Sequence, residues 1–160
     1  MNEKKPLVAI VMGSQSDKIY MNLASNTLSE FNITHVVQIL SAHRTPYETA
    51  ELASKAETNG IKVIIAGAGF SAHLAGVIAA HTILPVLGVP LPSSPLVGFD
   101  SLLSTVQMPP GIPVATFGVG ESGAKNAALF AIQIIARENQ ELAKKLHDYR
   151  SEMRTKILNK

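Results

Sequence analysis

With 160 residues, 46 % of them apolar and only 16 % charged, the chain is the size of one domain with a substantial core, and a single domain spanning 1–160 is expected. The absence of cysteine excludes a disulfide frame, thiol catalysis and a zinc–thiolate centre. The formal net charge is only +2, and half of the 14 lysines and arginines lie from Arg137 onward with four acids among them, which reads as a solvated helix face and not as a nucleic-acid surface.

The N-terminus, Met1 to Pro6, is too polar and too short to be a secretory signal, so a cytoplasmic location is expected. Leu7 to Met12 is a continuous apolar run rich in β-branched residues, the pattern of a strand covered on both faces. It ends in Gly13-Ser14-Gln15-Ser16-Asp17, and a helix follows with Ile19, Leu23, Leu28 and Phe31 as its inner stripe. Thr34 to Leu40 is the second strand. Next comes Ser41-Ala42-His43-Arg44-Thr45-Pro46, in which Thr45 is placed to cap a helix that Pro46 starts. That helix runs to about Thr58 and stops at Asn59-Gly60.

The third strand is Lys62 to Ala66, followed by Gly67-Ala68-Gly69-Phe70-Ser71-Ala72-His73 and a small-residue helix to about Ala80. Strand four is Pro85 to Val89, a helix covers about Asp100 to Val106, and strand five is Ile112 to Phe117. Between Lys62 and Glu121 the only acidic or basic residue is Asp100. Val63 to Leu91 exceeds the roughly 20 residues a bilayer requires, but glycines, histidines and prolines break it into pieces too short to cross. No membrane partner is expected; the charge-poor interval implies a surface covered in an obligate homo-oligomer. From Ser122 a helix is apolar nearly all round and should be buried. The tail after Asn139 carries one stripe, Leu142, Leu146, Tyr149, Met153 and Ile157. This helix, about 139–158, is expected to pack on a neighbouring subunit.

Five apolar strands alternating with helices imply an α/β fold, a three-layer αβα sandwich around a parallel sheet. The flavodoxin-like order 2-1-3-4-5, with an extra C-terminal helix, reverses its winding between strands one and three. It would gather GSQSD, SAHRTP and GAGFSAH at one crevice. Ser14 and Ser16 offer hydroxyls and free N–H groups suited to a phosphate, or Ser16 and Asp17 simply cap the helix; Asp17 could instead accept from ribose hydroxyls. His43 can move a proton near neutral pH, and Arg44 can grip a phosphate through paired hydrogen bonds. For His73 the residues alone leave both a structural and a functional role open. His35, His81 and His147 read as structural or surface residues. No pair of histidines has metal-ligand spacing with acidic support, so no metal is expected.

With GSQSD, SAHRTP, GAGFSAHLAG, LLSTVQMPPGIPVAT and SGAKNAALFA present in order, the sequence resembles the PurE family of purine biosynthesis, class I branch, over about Val8 to Ile135. The resemblance implies a mutase that moves a carboxyl group from the exocyclic N5 of a ribonucleotide to C4 of its imidazole ring, without ATP, metal or organic cofactor. It implies His43 as the general acid and base. Ser16, Ser41 and Arg44 would hold the phosphate, and Asp17 the ribose. Ser14, Ala68, Gly69, His73 and Leu74 would form the wall around the base and the migrating carboxylate. It also implies a homo-octamer with sites near subunit contacts. Class II relatives, which carboxylate aminoimidazole ribonucleotide with CO2, typically carry Lys where this chain has Arg44. The chain departs from the family at Phe70, usually a small residue, and at Ala75, usually proline. Rival readings are direct carboxylation by the class II route and a non-catalytic nucleotide- or flavin-binding module.

Overall fold

The computed structural model describes residues 5–159; the expectation about a signal segment falls largely on Met1 to Lys4 and lies outside them. Five parallel strands, β1 (Val8–Met12), β2 (His35–Ile39), β3 (Val63–Ala68), β4 (Val86–Pro90) and β5 (Ala115–Thr116), form one sheet. Its order is β2-β1-β3-β4-β5. The helices are α1 (Lys18–Glu30), α2 (Pro46–Lys55), α3 (Leu74–Ala79), α4 (Phe99–Val106), α5 (Glu121–Ala136) and α6 (Gln140–Leu158).

Side chains alternate across the pleat, and the sheet sorts them into two apolar layers. Val8, Ile10, Met12, Val63, Ile65, Leu87 and Val89 meet α1, α5 and the start of α6 on one face. Ala9, Val11, Ile64, Ala66 and Val86 meet α2 and α3 on the other. β1 and the first five residues of β3 are buried throughout, as continuous apolar runs in a doubly covered parallel sheet should be. β2 lies at the edge, with Val37 and Ile39 exposed.

Several boundaries and faces differ from the expectations. Helix α1 turns Met21, Ala24, Thr27 and Leu28 inward, and Ile19 is 68 % exposed. A three-residue 3-10 turn, Gln15–Asp17, precedes α1; within the regular helix that follows, Ile19 lies on the side opposite Leu28, whereas Met21 and Ala24 share the face of Leu28. α2 is followed by a closing turn in which Gly60 (φ +91°) donates to the Glu57 carbonyl and Ile61 to that of Ala56, the glycine-dependent stop the sequence announced. β5 is only two residues long, because Pro113 has no N–H to extend the ladder. α5 buries one face through Ala124, Ala127, Ala128, Ala131, Ile132 and Ile135, while Lys125, Asn126 and Phe130 face outward. It is therefore half-covered within the chain, not enclosed.

Helix α6 begins at Asn139, whose Oδ1 accepts from the Leu142 N–H at 3.0 Å. Leu142 is buried and Leu146 and Tyr149 pack against the first apolar layer, with the Tyr149 ring edge-on to Phe31 at 5.5 Å. Only the last part of the stripe, Met153 and Ile157, is exposed. The chain thus covers the beginning of its own C-terminal stripe.

The reassigned face of α1 gives a direct test. Met21→Ala is expected to destabilise the protein by about 2–5 kcal/mol, as large-to-small changes in packed cores do. Ile19→Ala should stay within about 0.5 kcal/mol. Urea unfolding at equal protomer concentration measures both.

Candidate active site

The carboxyl ends of β2, β1 and β3 adjoin, and the segments that follow them close around a cleft of about 580 Å3, within the roughly 300–1,000 Å3 of small-molecule sites. All ten residues singled out in the sequence line it: Ser14, Ser16, Asp17, Ser41, His43, Arg44, Ala68, Gly69, His73 and Leu74. The winding reversal brings them together.

The turn after β2 is held by Thr45. Its Oγ1 accepts from the Ser41 N–H at 2.8 Å and donates to the Ser41 carbonyl at 3.1 Å. No side-chain cap to α2 remains, so Thr45 closes the SAHRT turn instead of capping the helix. Within that turn the Arg44 N–H and Nε–H both point at Ser41 Oγ, at 3.3 and 3.4 Å. Arg44 Nη2 donates across to the Gly13 carbonyl at 2.9 Å. The guanidinium therefore spans the ends of β1 and β2, with Ser14 and Ser16 beside it; those two hydroxyls are 2.7 Å apart.

His43 and His73 come from different strand ends and meet at 2.7 Å, Nε2 to Nδ1, with their rings at 86°. At that distance one nitrogen must donate and the other accept, so the contact fixes complementary tautomers. His43 Nδ1 has no hydrogen bond to the protein among the described residues. The contact places His73 beside His43 in the cleft. His35, by contrast, is tied to Ser25 and the Ile33 carbonyl, and His81 and His147 are exposed.

Asp17 is only 4 % exposed, yet neither it nor Ser14 makes a side-chain cap bond. Its one side-chain partner is Ser93, whose Oγ lies 3.5 Å from Oδ1. A buried carboxylate so poorly satisfied within the chain is free to accept from a ligand, which removes the reading of Asp17 as a mere helix cap.

Ser93, from the loop after β4, was not among the sequence candidates. The signal was the sheet order, which sets β4 beside β3 and so brings the serines of its proline-broken loop to the same crevice. Gly69 permits this approach: a Cβ there would lie 2.7 Å from Ser93 Cβ and 3.3 Å from the Leu91 carbonyl. Among the described residues no group of three His, Cys, Asp or Glu is arranged to hold a metal ion, and no helix is long and apolar enough to cross a membrane.

Fold and cleft together define a doubly wound α/β protein with a cleft of small-molecule size, carrying several polar side chains, at its switch point. The sequence matches the family described as AIR carboxylase over residues 7–156, and the chain belongs to that family. It is 52 % identical over 160 residues to the N5-carboxyaminoimidazole ribonucleotide mutase of Pyrococcus horikoshii, covering 100 % of this chain and 89 % of that protein. It is also 52 % identical over 151 residues to the enzyme of the same name from Escherichia coli K12, covering 94 % and 89 %. The crystal structure of Treponema denticola PurE superimposes with a TM-score of 0.86 at 30 % identity, covering 96 % of this chain and 95 % of that one.

The approach of Ser93 to Gly69 is testable by a double-mutant cycle. Gly69→Ala should cost about 1–3 kcal/mol through overpacking. Adding Ser93→Gly should recover part of that loss, a coupling that denaturant titration of the single and double variants would read.

Proposed function

We propose that the chain is an N5-carboxyaminoimidazole ribonucleotide mutase of purine biosynthesis. It would transfer the carboxyl group from N5 to C4 to give 4-carboxy-5-aminoimidazole ribonucleotide. The observation that carries this reading is the convergence, in one cleft, of a directly bonded histidine pair with a buried, underused carboxylate and a serine-supported guanidinium. In this reading Arg44, Ser41 and Ser16 hold the 5′-phosphate, and Asp17 accepts from ribose hydroxyls. Ser14, Ala68, Gly69, His73 and Leu74 surround the base.

The reaction then needs only one proton and one confined molecule. As the N5–carboxyl bond breaks, its electrons return to nitrogen, protonated His43 supplies the proton to N5, and CO2 is released inside the cleft. The C4 carbon attacks CO2, and the proton displaced from C4 returns to His43. Atoms and charge balance without ATP, metal or organic cofactor. His73, bonded to His43, steadies its tautomer through both transfers. CO2 has no charge to grip, so its retention depends on shape and exclusion of water, and confinement makes recapture effectively unimolecular.

Supplying the N5-carboxylated nucleotide, or aminoimidazole ribonucleotide with bicarbonate, separates this reading from direct carboxylation. The mutase should turn over the former, and use of the latter alone would overturn it. His43→Asn should lower turnover by about 10²–10⁴-fold while leaving nucleotide affinity within a few-fold; full turnover in this variant would remove His43 from the chemistry.

We further propose a cytoplasmic homo-octamer in which the end of α6 packs on a neighbour. Support comes from the outward apolar face of α4 and the loop before it, where Leu96, Val97 and Phe99 are 64 %, 74 % and 65 % exposed and Leu103 and Val106 are exposed beside them. Asp100, the one charge of the interval, has its Oδ1 buried without a partner in the isolated chain. Such a face is costly on a monomer. Light scattering should report eight times the 17.0 kDa chain mass, and Leu103→Asp should lower that mass; a stable wild-type monomer at micromolar concentration contradicts the proposal.

A further inference from the structure

Among the described residues three non-glycine positions adopt positive φ: Asn32 (57°), Val97 (53°) and Phe70 (53°). Asn32 terminates α1, its N–H donating to the Ser29 carbonyl while Ile33 donates to that of Leu28, a role that asparagine tolerates well. Val97 lies on the outward apolar face already described. Phe70 has neither explanation. A bulky residue in the left-handed region is strained, and this one is 58 % exposed and packs against neither apolar layer. The residue instead lines the cleft.

The backbone that carries it is held in place. Gly69 leaves no room for a Cβ beside Ser93 and the Leu91 carbonyl, and the Ala72 N–H donates to the Phe70 carbonyl at 2.9 Å. Phe70 follows Ala68 and Gly69 directly and precedes His73, which touches His43. It therefore stands at the reacting end of the cleft, on the β3 side, whereas Arg44 bridges the ends of β1 and β2. An aromatic ring at that place meets a flat heterocycle, not a phosphate.

We propose that Phe70 is a specificity-determining residue that lays its ring against the imidazole base of the bound ribonucleotide and closes the reacting end of the cleft to water. The inference rests on the ribonucleotide reading given above. Base–aromatic contact tolerates the base's substituents because it uses the π-face. It would therefore persist while the carboxyl group moves from N5 to C4.

Binding of two probes, aminoimidazole ribonucleotide and ribose 5-phosphate, to the wild type, Phe70→Gly and Phe70→Leu provides the test. Phe70→Gly should weaken the nucleotide by about tenfold, the low end of what one base–aromatic contact contributes, and leave ribose 5-phosphate unchanged. Its thermal midpoint should be equal to or above that of the wild type, since glycine relieves the strained backbone, and its mass by light scattering should be unchanged. Phe70→Leu, which keeps bulk but loses the π-face, should also weaken the nucleotide selectively. During turnover of the N5-carboxylated nucleotide, Phe70→Gly should release more free aminoimidazole ribonucleotide than Phe70→Leu. Equal affinities in wild type and Phe70→Gly, equal losses for both probes, or a fall in assembly mass accounting for the loss would each overturn the proposal. Absence of wild-type turnover would count against the mutase reading, and the comparison of the two probes would still decide the role of the ring.

Discussion

Parallel strands must all run the same way, so their carboxyl ends lie along one edge of the sheet. Where the winding reverses, the loops after neighbouring strands splay to opposite sides and leave a crevice that no side chain of the sheet can fill. Here that reversal falls between β1 and β3. The rest of the molecule supports it: the two apolar layers pack β1, β3 and β4 between the helices, and loops that line the cleft leave from the ends of those strands. Residues more than fifty positions apart, such as Ser14 and His73, share one cavity because their strands are neighbours and parallel.

Charged residues are scarce in this chain, and the cleft gathers polar side chains that are not fully paired to one another. Arg44 uses Nη2 and Nε on Gly13 and Ser41, which orients the guanidinium while leaving other donors for an anion. The histidine pair orders its own tautomers. Asp17 is buried with one long contact. Each group is positioned by the protein and incompletely satisfied by it, the condition under which a ligand gains most from completing the hydrogen bonds. In the mutase reading this preorganisation has little charge to move, because the transferred fragment passes through neutral CO2.

The apolar exterior follows a different logic. α1 and α5 pack closely through small residues and bury their inner faces within the chain. α4, though, turns phenylalanine, leucine and valine outward around a single buried and unpaired carboxylate oxygen. The first half of α6 completes the chain's own core, and its second half does not. The same chain thus separates apolar surface that it covers itself from apolar surface that it leaves exposed, a division that periodicity could not make because both halves of α6 carry the same stripe.

What the amino-acid sequence determined by itself was the alternation of elements, the parallel sheet and its order, and the polar residues of the cleft at the ends of β1 and β2; the family resemblance added Ala68, Gly69, His73 and Leu74, which line the same cleft. Continuous β-branched runs, glycine stops and right-handed crossovers leave few alternatives, and chemistry-bearing residues at strand ends can point to only one edge. Tertiary structure alone decided the rest. It turned the Met21 and Leu28 face of α1 inward and left Ile19 out, because both sides of that helix carry apolar residues and only packing against the sheet and α5 selects between them. It gave Thr45 to the turn and not to the helix, because Ser41 competes for the same hydroxyl. It brought His73 to His43 and Ser93 to Asp17, contacts between loops whose separation in sequence carries no signal of distance. It also set Phe70 in a left-handed conformation at the cleft, since backbone angles in a loop are imposed by what lies on either side of it.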